Sequence, residues 1–264
     1  MPDFVLEPAD LERRFGGLAR LYGAGGAANI RAAHVVVVGI GGVGSWAAEA
    51  LARSGVARLT LVDLDHIAES NINRQIHALS STLGRSKVQA MRERILDINP
   101  DCHVSCIEEF VSAENWPDVV QLDPKAELLS ILDACDQVKA KTAMAAWALQ
   151  NNTNFITVGA AGGKRHAHKV DIEDLAVVTH DPLLAQLRYR LRKEHGGARQ
   201  GKLGVNCVFS RESVLQPFVS VETPQVDNSL NCHGYGSVVS VTATFGICAA
   251  GWLLGNIAAQ RFNK

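Results

Sequence analysis

The sequence predicts an α/β chain organised around a doubly wound parallel sheet. Short β-branched apolar runs alternate with helical stretches from residue 34 to residue 158, the first run stops at a glycine cluster, and an acid closes the second run. Strand and helix in strict alternation imply parallel strands joined by right-handed crossovers. The first run, His34–Val38, is short and apolar throughout, as a strand buried on both faces requires. Gly44–Arg53 reads as a helix with Trp46, Ala47, Ala50 and Leu51 on one side, and Gly55 suits its C-terminal end. Residues 59–63 form the second strand. A helix over Lys87–Ile98 stops before Pro100, followed by a strand at 104–107, a helix near 113–121, a strand at 128–132, a helix at 139–151 and a strand at 155–158. Beyond Gly163 the pattern changes to a charged strand at 169–172, a polar helix at 182–193 and a basic, glycine-containing stretch at 195–202. The expected organisation is an N-terminal helical segment (1–30), a nucleotide-binding domain (31–165) and a C-terminal substrate or crossover region with an apolar terminal helix (166–264).

Composition narrows the function classes. With 47% apolar and 20% charged residues among 264, the chain is globular and not disordered. A net charge of −1 means that any nucleic-acid surface is a local basic patch. The six cysteines contain no C-x-x-C pair, which excludes a zinc site built from such pairs, and with no secretory signal they point to reduced thiols and the cytoplasm.

The chemistry starts at Gly39, Gly41, Gly42 and Gly44, a G-x-G-x-x-G match that makes the sheet Rossmann-like. Glycine permits a tight turn and lets backbone N–H groups approach phosphate oxygens at a helix N-terminus. Asp63, at the end of the second strand, is placed to accept bonds from ribose hydroxyls. A nicotinamide site looks the same to this point. The next stretch, with Asp65, Asn71, Arg74 and Gln75 followed by Lys87, separates the two: a fixed Arg and Lys serve an enzyme that breaks a triphosphate, by neutralising charge on the transferring phosphoryl group. The expected ligands are therefore ATP and Mg²⁺. Asp133, at the carboxyl edge of the sheet, is the candidate Mg²⁺ ligand, its other reading being a helix N-cap, for which Asp136 is better placed.

In that order and spacing, these residues resemble the ATP-binding domain of the ubiquitin-activating-enzyme-like superfamily, which includes the adenylating enzymes of molybdopterin and thiamine synthesis. The likeness spans residues 31–160 and implies that Asp63 binds ribose, Arg74 and Lys87 hold phosphates and Asp133 coordinates Mg²⁺. It departs from the molybdopterin and thiamine enzymes in lacking their zinc-binding cysteine pairs. Further blocks run from Arg14 to Gly23, Asn73 to Leu79, Gly201 to Ser210 and Val241 to Gly246. They are closely similar to the bacterial tRNA threonylcarbamoyladenosine dehydratase family over nearly the whole chain. That resemblance implies ATP-dependent activation of the threonine carboxylate in the modified adenosine of tRNA, followed by ring closure. The alternative is an adenylating enzyme that activates a protein C-terminus for sulfur transfer. A homodimer is expected, and a cysteine desulfurase or sulfur-acceptor system is a further partner to consider.

Other features divide between chemistry and architecture. Cys207 and Cys232 read as structural, because intramolecular closure needs no thiol relay. His77 lies one turn beyond Arg74 and packs, caps or assists a proton transfer. Arg188, Arg192, Arg199 and Lys202 belong to the densest basic cluster and are the candidate tRNA phosphate contacts. Residues 238–258 are mostly apolar and long enough to cross a bilayer. They are read as a core or dimer-interface helix, with peripheral membrane association as the other possibility.

Overall fold

The computed structural model describes residues 9–122, 128–217 and 235–260. Two helices, α1 (Leu11–Phe15) and α2 (Gly17–Ala32), precede the sheet. Asp10 caps α1, its carboxylate accepting the Arg13 N–H at 3.0 Å. The strands are β1 (His34–Val38), β2 (Arg58–Val62), β3 (His103–Ile107), β4 (Leu129–Asp133), β5 (Asn154–Val158), β6 (Val170–Asp174) and β7 (Asn206–Ser210). They form one seven-stranded sheet in the order β3-β2-β1-β4-β5-β7-β6, parallel except for the antiparallel β6–β7 pair. The helices between and after them are α3 (Gly44–Arg53), α4 (Lys87–Ile98), α5 (Val138–Asn151), α6 (Pro182–Glu194) and α7 (Val239–Ala259).

The apolar run of β1 is explained by burial on two sides. Val35 and Val37 face one core with α3, α4 and α7, and Val36 and Val38 face the other with α5 and α6. Strand order reverses between β1 and β4, and their carboxyl ends open the crevice in which doubly wound sheets bind ligands.

Three expectations change. Residues 113–121 form turns and a short 3₁₀ segment at Asp118–Val120 instead of an α-helix. Pro117 cannot donate to a helical ladder, and the Asn115 side chain engages the Ser112 N–H at 2.7 Å and the Phe110 carbonyl at 2.8 Å, diverting the local backbone. Second, β7 lies in a block read as a motif and not as a strand. It pairs with β5 and β6, so the region beyond 165 extends the same sheet. Third, Asp136 does not cap α5: the cap residue is Gln137, with no side-chain cap bond.

The apolar stretch after 238 becomes α7, which packs against α3 and α2. Val241, Phe245, Ala249, Leu253 and Ile257 are fully buried at a four-residue spacing, the stripe of a helix facing a core. Gly246 lets α7 approach α3, since a Cβ there would sit 2.3 Å from the Val43 carbonyl oxygen. By length and composition α7 is also apolar enough to cross a membrane, with half of its most apolar window buried in the protein.

Candidate nucleotide-binding and activation site

The crevice is built from the backbone outward. Gly39 leaves β1 at φ +86°, a conformation that favours glycine, and a Cβ would lie 2.9 Å from the carbonyl of Ala134. Gly44 opens α3 so close to the Gly39 carbonyl that a Cβ would stand 1.7 Å from its oxygen. Gly41 and Gly42 keep the turn bare; Cβ atoms there would point toward Gln75 Nε2 (4.0 Å) and Arg74 Cγ (3.2 Å). The result is a side-chain-free cradle at a helix N-terminus with an arginine beside it, which fits a phosphate chain.

Asp63 sits beside this cradle and is buried. Its Oδ2 accepts the Ile40 N–H at 2.7 Å and its Oδ1 the Asp65 N–H at 2.9 Å, tying the end of β2 to the glycine turn. Burial pushes its pKa above the ordinary carboxylate range, opposed by the Lys87 charge and those two N–H donors. Lys87 Nζ lies 2.6 Å from Asp65 Oδ2 and 3.8 Å from Asp63 Oδ1, bringing the predicted ribose acid and phosphate lysine together. Arg74 is buried and donates from Nη1 to the Ser70 carbonyl and to Asn73 Oδ1 (3.0 Å), while its own carbonyl accepts Trp46 Nε1–H at 3.0 Å. Asn71 is a loop-builder: its Oδ1 accepts the Ala68 N–H at 3.0 Å. Gln75 is buried with an unpartnered Oε1. The adjoining His77 is buried with both ring nitrogens unpartnered, and burial, reinforced by the Lys87 and Arg94 charges, lowers its pKa to about 4.

Asp133 has a different environment from the one sequence spacing suggests. It is fully buried, its Oδ2 taking bonds from Lys141 Nζ (3.0 Å) and the Thr157 hydroxyl (2.6 Å) and its Oδ1 the Cys135 N–H (3.1 Å). Neither oxygen faces the crevice without a partner. Asp136, three residues further along the same turn, is exposed, with only a 3.4 Å contact from the Gln137 amide. Sequence reasoning missed Lys141, the fourth residue of α5. The signal was a lysine on the otherwise apolar, alanine-rich face of that helix.

The basic cluster also divides. Arg188 donates from Nη1 to the carbonyls of Leu175 (3.0 Å) and Val178 (2.8 Å), and Arg192 donates to that of Ala198 (3.1 Å). Lys193, Arg199 and Lys202 are exposed. Cys207 is fully buried, and burial drives its thiol pKa well above the ordinary range, as suits a structural cysteine. Cys232 lies outside the described residues.

A bare glycine cradle, an acid closing β2, and a buried Arg and Lys beside them define a nucleotide-binding Rossmann-like protein equipped for phosphoryl or nucleotidyl transfer. The ThiF family model matches residues 14–259, and the chain belongs to the ThiF family. It is 40% identical over 253 residues to a tRNA threonylcarbamoyladenosine dehydratase of Haemophilus influenzae, covering 95% of each chain. It is 41% identical over 257 residues to that of Escherichia coli, covering 94% of each. Among solved structures it is similar to the E. coli enzyme in complex with ATP (TM-score 0.83, 40% identity, 96% of this chain and 98% of that chain). The AMP complex of the same enzyme superposes with a TM-score of 0.82 over the same shares.

Proposed function

We propose that this protein catalyses the ATP-dependent dehydration of threonylcarbamoyladenosine in tRNA. The observation that carries the reading is the near-full-length likeness to curated dehydratases of that activity, joined to a site whose cradle and cations suit ATP. The reaction needs those parts. A carboxylate oxygen is a poor leaving group. The threonine carboxylate attacks a phosphorus of ATP, pyrophosphate or ADP departs, and the ureido group of the same nucleoside then closes on the activated carbonyl, expelling AMP or phosphate. The carboxylate oxygen leaves on the phosphorus, so the nucleoside loses the elements of one water. Backbone N–H groups of the glycine turn bind the phosphates, Asp63 orients the ribose, and Arg74 and Lys87 offset charge developing on the leaving group. Mg²⁺ brings a further positive charge to the phosphates. Asp136, and not the satisfied Asp133, is the carboxylate we assign to it. Relatives that adenylate and transfer sulfur match only 38% of the chain, so activation of a protein C-terminus is the weaker reading.

For the tRNA we assign phosphate contacts to Arg199, Lys202 and Lys193, the exposed members of the basic cluster. The protein works in the cytoplasm, where its tRNA is. Homodimer formation and a cysteine desulfurase partner are tested by sedimentation velocity without and with the desulfurase, and membrane contact through α7 by vesicle flotation. The activity test is direct. The protein is incubated with ATP, Mg²⁺ and tRNA carrying threonylcarbamoyladenosine, and the digested nucleosides are weighed. A nucleoside lighter by one water is expected. ATP consumption that requires a protein C-terminus and leaves the nucleoside unchanged overturns the assignment.

A further inference from the structure

The pair Asp133–Lys141 is the most deeply buried ion pair among the described residues, both side chains being fully enclosed. Lys141 Nζ is held 3.0 Å from Asp133 Oδ2 and 2.9 Å from Thr157 Oγ1, and the Thr157 hydroxyl donates to the same carboxylate. Desolvating two charges commonly costs more than their attraction returns, so a pair like this is a poor way to add stability. Its position suggests another use. Asp133 ends β4 and pairs in register with Thr157, the next-to-last residue of the adjacent β5, and Lys141 reaches both from α5. The turn between β4 and α5 is thereby tied at both ends. That turn is the floor of the glycine loop: Ala134 donates its N–H to the Val38 carbonyl at 2.8 Å, and its carbonyl carbon and oxygen meet Gly39 so closely that no Cβ fits. The same turn carries Asp136. The Cys135 N–H, in the middle of it, is bonded to Asp133 Oδ1.

We propose that Lys141 is a positioning residue for the activation step: through Asp133 and Thr157 it fixes the β4–α5 turn that supports the glycine loop and presents Asp136 to the nucleotide. It touches no substrate. The inference rests on the reading of the crevice as an ATP site.

The test uses three variants of the full chain. Lys141→Met leaves the Asp133 carboxylate buried without its cation, so folding stability drops. Asp133→Leu combined with Lys141→Met removes both charges, and its melting temperature returns toward that of the parent. If Lys141 acts by position, that folded double variant still binds Mg²⁺-ATP about tenfold more weakly by calorimetry and turns over roughly 10–100-fold more slowly, with KM for tRNA unchanged. Lys141→Arg keeps the charge and the donors and recovers most of the ATP affinity. A double variant with parental ATP affinity and turnover makes the pair purely architectural and overturns the proposal. If the double variant does not fold, hydrogen exchange on the unaltered protein decides: Mg²⁺-ATP should slow exchange at the Cys135 amide, and an unchanged rate there overturns the proposal. Failure of the underlying site reading looks different, since the parent itself would then not bind ATP.

Discussion

Replacing Asp63 by Asn tests the ribose assignment at a single functional group. The carboxylate accepts the Ile40 N–H on one oxygen and the Asp65 N–H on the other. An amide of the same shape has one acceptor and one donor end, so one of these backbone donors faces an NH₂ group whichever way the side chain is turned. The site is buried, and an N–H left without its acceptor there costs about 1–3 kcal/mol of folding stability. That lowers the melting temperature without unfolding a chain of this size. The binding effect is separable. A hydrogen bond from a ribose hydroxyl to a charged acceptor contributes about 1.5–3 kcal/mol, which corresponds to roughly a tenfold to hundredfold change in the dissociation constant for ATP. Calorimetric titration of parent and variant with ATP and with 2′,3′-dideoxy-ATP isolates the contact. The parent should lose that factor when the hydroxyls are removed, and the variant, having no carboxylate to receive them, should lose little more. A variant that discriminates between the two nucleotides as strongly as the parent refutes the assignment, because the hydroxyls would then be recognised elsewhere.

Three further outcomes are expected. Arg74→Ala should lower turnover at saturating tRNA by about 10²–10³ while tRNA affinity, measured by filter binding, stays at the parental value; equal loss in both places Arg74 at the tRNA and not at the phosphates. Arg199→Ala and Lys202→Ala should each reduce the slope of log affinity for tRNA against log salt by about one unit, whereas Arg188→Ala, which strips two carbonyls of their donor, should lower the melting temperature first. His77 takes up its proton near pH 4 in the folded protein against 6.5 when free, so the unfolded chain binds more protons between those values and stability falls as pH drops through that window. The full effect is about 3 kcal/mol; urea melts from pH 7 to pH 4 should show it, and His77→Phe should flatten the dependence, leaving the share that belongs to His34, also lowered to about 4 by burial.

Much of this was legible because it depends on local chemistry. The apolar run ending in Gly39, the glycine spacing through Gly44 and the acid at 63 each declare a backbone requirement that few other residues meet. The helix over Lys87–Ile98 is bounded by Pro100 and falls where its periodicity places it. What escaped depends on partners distant in sequence. Residues 206–210 became β7 because β5 and β6 leave a place between them, which no periodicity of five residues announces. Residues 113–121 have helical composition, yet Asn115 and Pro117 redirect the backbone. Arg188 and Arg199 are equivalent as letters, and only the carbonyls of Leu175 and Val178 distinguish them.

The two aspartates of the β4–α5 turn make the same point about function. Spacing along the chain puts Asp133 at the carboxyl edge of the sheet, where an acid can serve a metal-bound nucleotide, and offers Asp136 only as a helix cap. Their roles separate through saturation. Asp133 ends a central strand whose side chain points into the α5 face, where a lysine, a hydroxyl and a backbone N–H occupy its oxygens. A carboxylate so engaged would have to break charge-assisted bonds before binding a cation, and in a buried site that is expensive. Asp136 projects from the turn with its acceptors uncommitted apart from one long contact, so it can bind a cation without losing anything it already holds. The division suits the two roles proposed for them: Asp133, locked from below, would hold the turn still, and Asp136, left at its surface, would be free to meet the nucleotide.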